Sequence, residues 1–458
     1  MKKLLQRSCK LCLLFLTFVC LLSFLIPKDV NAFYDPTTVP NNIYGIGVIN
    51  HTDLTDVSNL VNVNGGDWGY VTIVIAEKDR NKDVWQKFMD DCRRLHLIPI
   101  VRVATVYEDG NWKIPDLNEI DNWVNFFNSL NWVIENRYIA IGNEPNHSKE
   151  WGGEIKPEDY ATYLKTFSER LKNANPDYFV LNAGFDQNAP NSKNTMDQKK
   201  FMDQMVKAVP DVFNFIDGWN SHSYPNPGFS GAKTGIGRRS IRGYEWELGL
   251  IEQSSPLRGK KDLPVFITET GWVQSKTNDD EELATNMKYA FQDVWMKDKR
   301  IVAVTPFLLN YTEEPFYDFS WKNKDGSYFK IYGAVQETQK LKGEPVQKLS
   351  GEIIFSFLNP LMLRNTEQKG FSVVKNTGQA IWTQGESNII NESLDESNTS
   401  FEIKVSNTKF NQIEPFKTGL ITYTLKSPDT NSVFNIKLGF YVRGEQIGDV
   451  INGKIISF

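Results

Sequence analysis

The chain has 458 residues, 51 Lys+Arg against 56 Asp+Glu, with 40% hydrophobic and 13% aromatic residues; that length suits two or three domains, or one α/β barrel of about 250 residues or more with an appendage. Gly at 31, Pro at 20 and 23% charged residues are ordinary globular values, which excludes collagen-like and largely disordered chains. The net charge is −5, and −9 without residues 1–32, which carry five Lys/Arg and one Asp; nucleic acid is therefore excluded as a partner, for want of a basic footprint.

The amino terminus predicts an export signal. Lys2, Lys3, Arg7 and Lys10 precede the 17-residue apolar run Leu11–Pro27, and Val30-Asn31-Ala32 follows as a small-residue cleavage site. The run is at the short edge for spanning hydrocarbon, so cleavage after Ala32 and secretion are expected, with membrane anchoring the alternative if the leader stays. Cys9, Cys12 and Cys20 lie in this leader and only Cys92 remains beyond it. No intramolecular disulfide is then available, and a large apolar core must hold the fold. Cys92 falls on an apolar helical stripe with Val84, Phe88 and Leu95. His51, His96, His147 and His222 are scattered, without an HxH or HExxH pair, so no metal and no cofactor is expected.

Eight short apolar runs alternate with amphipathic stretches from about residue 43 to 356. The strand candidates are Ile43–Ile49, Tyr70–Ala76, Ile98–Ala104, Tyr138–Gly142, Phe179–Ala183, Ile216–Ser223, Val265–Thr270 and Val302–Leu309. The clearest helical patterns are Asp83–Leu95, Pro157–Asn173 and Glu281–Lys297, each with apolar residues three and four apart. Apolar strands linked by helices are what a parallel sheet covered on both faces requires. Eight units predict a (β/α)8 TIM barrel. A doubly wound open sheet is the alternative, and no GxGxxG follows a first strand to support its dinucleotide-binding form.

After Phe357 the pattern changes to alternating runs, Phe371–Val374, Phe401–Val405, Leu420–Leu425 and Phe434–Val442, separated by polar turns such as Gly385–Asn388 and Ser393–Thr399. These predict a β-sandwich. The stretch Val374–Trp382 resembles immunoglobulin-like modules of secreted and surface proteins, with Trp382 a core residue. The expected organisation is a signal at 1–32, a barrel at 33–356 and an accessory sandwich at 357–458.

Two carboxylates stand at strand ends. In Ile141-Gly142-Asn143-Glu144-Pro145-Asn146, Pro145 stops the fourth strand from continuing in its ladder, leaving Glu144 on the rim. In Phe266-Ile267-Thr268-Glu269-Thr270-Gly271-Trp272, Gly271 ends the seventh strand and Glu269 stands at its tip. A closed parallel barrel puts both ends on one face, where such folds place their chemistry. Glycosidic cleavage needs this pair: one carboxylic acid gives a proton to the leaving oxygen, and one carboxylate attacks the anomeric carbon or activates water.

With these motifs and the sixth-strand sequence Trp219-Asn220-Ser221-His222-Ser223-Tyr224-Pro225, residues from about 41 to 356 resemble the retaining glycoside hydrolases of the clan A superfamily. The resemblance implies Glu144 as acid/base, Glu269 as nucleophile, Asn143 contacting the 2-hydroxyl of the reacting sugar, Tyr224 hydrogen-bonded to Glu269, and His222 supporting the nucleophile. Tyr332–Pro345 resembles the clan's return into its last helix. Two features depart from the clan: Arg102 is the inward arginine, on strand three rather than two, and strand eight runs Thr305-Pro306-Phe307-Leu308-Leu309-Asn310 without a terminal tryptophan.

Each assignment has a plainer alternative. Glu144 and Glu269 are otherwise surface glutamates at turns, His222 a satisfied core histidine, and Arg102 a structural ion-pair partner. Trp272 and Trp321 are candidate sugar platforms or core fillers, and His51 is a rim residue after strand one. The activity expected is hydrolysis of β-glycosidic bonds in a poly- or oligosaccharide with retention. The alternatives are a non-catalytic carbohydrate-binding or cell-surface protein, and a transglycosylase using the same glutamates. The leader and tail also suit association with a cell surface or cell wall. The loops Asn188–Asp197, Pro225–Arg242 and Tyr311–Ser327 decide between an open cleft and a closed pocket.

Overall fold

The computed structural model describes residues 33–253, 263–274, 279–392, 412–427 and 429–458. The leader, the predicted strand Phe401–Val405 and the turn Ser393–Thr399 lie outside them.

All eight predicted strands of the first region form: β1 (Gly45–Val48), β2 (Gly69–Ala76), β3 (Leu97–Ala104), β4 (Arg137–Ile141), β5 (Tyr178–Asn182), β6 (Trp219–His222), β7 (Val265–Glu269) and β8 (Ile301–Val304). β1 to β5 pair in sequence order and in parallel, and so do β6 to β8. Parallel bridges Leu181↔Gly218 and Tyr44↔Val304 join the two arcs. Asp217 donates to the Val180 carbonyl and Val304 to the Ile43 carbonyl, both at 2.8 Å. The arrangement fits a TIM barrel.

Helices follow the strands: α1 (Leu54–Val61), α2 (Lys82–Arg94), α3 (Ile120–Asn128), α4 (Pro157–Ala174), α5 (Gln198–Ala208), α6 (Gly243–Gln253), α7 (Asp280–Tyr289) and α8 (Lys330–Gln336). Their starts have local causes. Asn81 caps α2 by accepting from the amides of Asp83 and Val84, Asp197 caps α5, and Pro157 opens α4, where its missing N–H is no loss. Two expectations change in detail. Val84 is exposed, and Trp85, Phe88, Met89 and Cys92 form the buried face of α2 instead. The stretch predicted as one helix to Lys297 is α-helical only to Tyr289, continuing as a π-turn at Ala290–Val294 and a 3-10 turn at Trp295–Lys297.

The barrel is filled rather than hollow. Tyr138, Phe179 and Phe266, from β4, β5 and β7, meet at centroid distances of 5.0–5.6 Å. Buried polar contacts join the strands as well. Thr72 and Thr305 share a 2.7 Å hydroxyl contact, and Asn220 bonds to Asn182 and Thr268.

The C-terminal region begins earlier than the sequence suggests. The strand β9 (Gly351–Phe357) pairs with β11 (Glu367–Asn376), which pairs with β13 (Thr418–Lys426), all antiparallel. Residues 351–356 therefore belong to this sheet, because their hydrogen-bond partners are there. A second sheet joins β10 (Leu361–Met362), β16 (Ile451–Ser457), β14 (Ser432–Val442) and β12 (Ser387–Asn391), with β15 (Glu445–Gln446) on β14. Val374, Ile421, Tyr423 and Leu425 of the first sheet share one apolar cluster with Ile436, Leu438 and Phe440 of the second. Trp382 is fully buried in it, 5.6 Å from Phe440. The region rests on the barrel through Arg94–Glu414, Asn131–Gly378 and Gln379–Ile134. Arg94 precedes β3, and Asn131 and Ile134 precede β4, so these contacts lie at the amino ends of the strands, opposite the end where both glutamates stand.

Candidate active site

The backbone at Glu144 is shaped by its neighbours. Gly142 takes φ +90° and turns the chain out of β4, and Glu144 itself has φ +26°, a conformation that costs a non-glycine residue about 1–3 kcal/mol. The surroundings hold it. Its amide donates to the Gly184 carbonyl at 2.9 Å, and its own carbonyl accepts from the His147 amide at 2.8 Å. Asn146, fully buried, donates to the Asp186 and Met196 carbonyls at 2.9 and 3.1 Å and ties this loop to the one after β5.

Six side chains converge from β3, β7, the end of β6 and the loop after β4. His222 Nδ1 lies 3.0 Å from Glu144 Oε1 and 3.8 Å from Glu269 Oε2. Tyr224 donates its hydroxyl to Glu269 Oε2 at 3.2 Å, and Arg102 Nη1 donates to Glu269 Oε1 at 2.7 Å and also to Asn143 Oδ1. An oxygen of Glu144, an oxygen of Glu269 and a nitrogen of His222 all lie within 4.8 Å of one another. Both carboxylates keep part of their surface open, at 21% and 17% exposure.

Burial disfavours the imidazolium of His222, but the facing Glu269 and Glu144 carboxylates outweigh it and raise its pKa. Burial, and then the same two carboxylates, push the Tyr224 hydroxyl well above its ordinary value, so it stays a donor. Glu144, His222 and Glu269 have the donor set for a cation. The Arg102 guanidinium already supplies a positive charge at Glu269, which weighs against a second one.

The geometry thus brings together Asn143, Glu144, Glu269, Tyr224, Arg102 and His222. His222, expected to support Glu269, lies 3.8 Å from it and nearer Glu144, at 3.0 Å, with its ring packed close to Gly184. Trp272 and Trp321 are each 3% exposed and offer no ring face to a ligand. Trp272 instead donates Nε1 to the Gly231 carbonyl, pinning the loop after β6, and the Trp321 amide donates to the Leu308 and Leu309 carbonyls. His51 is exposed on the loop after β1.

Several residues here escape sequence reasoning. His147 Nε2 and Asp186 Oδ2 lie 2.8 Å apart beside Glu144. Glu150, six residues after Glu144, lines a cavity of about 30 Å³ with Arg102, Asn143, Trp112 and Tyr163. Its carboxyl is pushed up to about 7 by burial and by Glu144, against the opposing pull of Arg102. An aromatic wall starts at Tyr224 and continues through Phe229, Phe319, Phe307 and Phe316 to Tyr311, with successive centroids 4.9–5.8 Å apart. Phe229 and Phe316 are exposed. The only sequence signal for the wall is the aromatic content of two loops, which does not reveal that they meet.

No family model and no curated protein matches the chain. The solved structures it is similar to include glycoside hydrolases. One is a family 39 glycoside hydrolase from Bacteroides cellulosilyticus WH2, with 16% identity, TM-score 0.45, covering 86% of this chain and 82% of that one. A monomeric β-xylosidase from Caulobacter crescentus CB15 has 12% identity and TM-score 0.46, over 87% and 83% of the two chains. A Thermomonospora fusca β-mannanase in complex with mannotriose has 16% identity and TM-score 0.40, over 64% and 87%.

Proposed function

We propose that the protein is an exported glycoside hydrolase that cleaves β-glycosidic bonds of a poly- or oligosaccharide with retention. The observation that carries this reading is the approach of Glu144 and Glu269 oxygens within 4.8 Å across a partly open site. Retaining enzymes hold their carboxyl groups about 5–5.5 Å apart, whereas inversion needs about 6.5–9.5 Å to admit a water.

In this reading Glu269 is the nucleophile. Arg102 and Tyr224 hold one oxygen each, which fixes the carboxylate's orientation for attack on the anomeric carbon. Protonated Glu144 gives its proton to the departing glycosidic oxygen and then, deprotonated, takes one from the water that releases the sugar. His222 bonds to Glu144 and orients it. Asn143 contacts the 2-hydroxyl, and the aromatic wall supplies apolar surface for the C–H faces of neighbouring sugars. The basic, apolar leader supports export. The two C-terminal sheets fit an immunoglobulin-like sandwich, read as an accessory domain, and surface or cell-wall association would run through it.

The test is turnover of a panel of aryl β-glycosides and polysaccharides, with the anomer formed first followed by proton NMR. Retention, abolished in folded Glu269→Gln and Glu144→Gln variants, is the expected result. Inversion, or full activity in Glu269→Gln, overturns the assignment. Glycan binding without turnover indicates a non-catalytic binder, and sugar-to-sugar transfer indicates a transglycosylase.

A further inference from the structure

The loop that carries part of the aromatic wall has a second side. Phe316 and Phe319 belong to the wall, whereas Tyr317 between them lies 6.4 Å from the Phe329 ring. Past Phe329, α8 is tied to α1: Tyr332 donates its hydroxyl to the Asp56 carbonyl and Gln336 donates Nε2 to the Asn59 carbonyl, both at 2.8 Å. Beside this seam is an open groove of about 500 Å³, whose walls include Asn59, Val63, Tyr328, Lys330, Gly333 and Gln336. Small-molecule sites occupy about 300–1,000 Å³.

The groove is already shaped for a flat ligand. Tyr328 stacks on the buried Tyr332, with centroids 3.9 Å and planes 16° apart, yet stays 38% exposed. One face of its ring is therefore backed by protein, and the exposure belongs to the remainder. The backbone is held as well, because Tyr328 bridges Lys322 and the Phe329 amide donates to the Trp321 carbonyl at 3.0 Å. Lys322 Nζ, 5.3 Å from the Tyr328 centroid, is fixed by Asp56 at 2.7 Å and does not line the groove. Among the described residues the charged side chain that does line it is Lys330, which is paired with Glu281 at 2.5 Å. The Asn59 side-chain amide and Gln336 Oε1 have no hydrogen-bond partner among the described residues. A Cβ on Gly333 would meet nothing within 4 Å among them, so this position leaves the groove open.

A ligand here must offer an apolar face to one ring, hydrogen-bonding groups to two amides, and no charge. A pyranose does all three, with its C–H face over the ring and its hydroxyls around the edge. A folded partner fits poorly, since stable protein interfaces bury about 1,200–2,000 Å² and the groove presents one exposed aromatic ring. We propose that the groove beside α1 and α8 is a second glycan-binding site, outside the catalytic pocket, which takes a neutral sugar chain with Tyr328 as its platform. This goes beyond the catalytic reading, because the site holds a glycan whether or not Glu144 and Glu269 cleave one.

The test is affinity gel electrophoresis of the full chain through arabinoxylan, galactomannan, mixed-linkage β-glucan and hydroxyethylcellulose, with each protein checked for a cooperative thermal transition. The background is Glu269→Gln, so that no glycan is consumed. Tyr328→Ala removes the platform, Gly333→Trp fills the groove, and Tyr328→Phe keeps the ring. Retardation by at least one glycan is expected in the background and in Tyr328→Phe. In Tyr328→Ala and Gly333→Trp the apparent Kd should rise about two- to ten-fold, the scale of one aromatic contact. The same changes without Glu269→Gln should leave kcat/KM on a small aryl β-glycoside unaltered, which a disturbed catalytic pocket would not. No retardation by any glycan, or equal retardation in folded Tyr328→Ala and Gly333→Trp, overturns the proposal. So does a dimer in sedimentation that Gly333→Trp dissociates, which makes a second copy the occupant. Tyr328-dependent retardation of a protein that hydrolyses nothing removes the proposed function and leaves this site standing.

Discussion

Replacing Gly184 by Ala perturbs the site without replacing any ionisable group. A Cβ on Gly184 would stand 2.1 Å from His222 Cδ2 and 2.3 Å from Nε2. Ordinary contact begins near 3.4 Å, so the ring must retreat by about 1 Å or the backbone must move. His222 Nδ1 is 3.0 Å from Glu144, and a displacement of that size takes the pair out of hydrogen-bond range. The alternative is no gentler, because the Gly184 carbonyl is the acceptor for the Glu144 amide. Losing one hydrogen bond to a charged group costs about 1.5–3 kcal/mol, or roughly 10- to 150-fold in kcat/KM. Overpacking costs about 1–3 kcal/mol in stability. Steady-state kinetics on an aryl glycoside, with a thermal melt of the same preparation, measures both. Gly249→Ala in α6 is the control: among the described residues nothing lies within 4 Å of its Cβ, so activity should hold and stability rise by about 0.4–1 kcal/mol. A folded Gly184→Ala enzyme with wild-type kcat/KM would show that the His222–Glu144 contact and the Glu144 backbone do not matter to turnover.

Tyr224→Phe removes the hydroxyl donor at Glu269; kcat should drop about 10- to 100-fold with KM little changed, and an unaffected kcat would remove Tyr224 from the site. Glu150 keeps its proton to about pH 7 when folded, against an ordinary value of 4.5. The folded state therefore holds more protons between those values, and stability is full below pH 4.5 and lost as pH rises through 7. Glu150→Gln should narrow the fall in stability between pH 5 and pH 8.5, by at most about 2–3 kcal/mol; parallel pH–stability curves for the two proteins would contradict this. Lys340, 2% exposed, donates to the Val335, Gln336 and Thr338 carbonyls at 2.8–3.0 Å beyond the end of α8. Burial lowers its pKa to about 8. Lys340→Met leaves those carbonyls without this donor and should cost about 2–4 kcal/mol in chemical denaturation, whereas an unchanged midpoint would show that water reaches them.

The strands and the two glutamates were legible for the same reason. A parallel strand covered on both faces is largely apolar, so its limits show where Gly or Pro interrupts it, and Glu144 and Glu269 stand beside such interruptions. The expected tryptophan platforms were not legible. Trp272 and Trp321 follow strand ends as a platform would, and their burial depends on loops whose packing no local pattern records.

What this chain settles by itself is periodic: eight apolar runs, the helical stripes between them, and two carboxylates carried to strand ends. Local sterics and hydrophobic spacing act over a few residues and are written there directly. Only the tertiary structure decides that His222 turns to Glu144, that Gly184 must lack a side chain, that Arg102 bonds both Asn143 and Glu269, and that residues 351–356 pair with the second region. Each depends on distances between segments tens to hundreds of positions apart, and those distances exist only once the ring has closed.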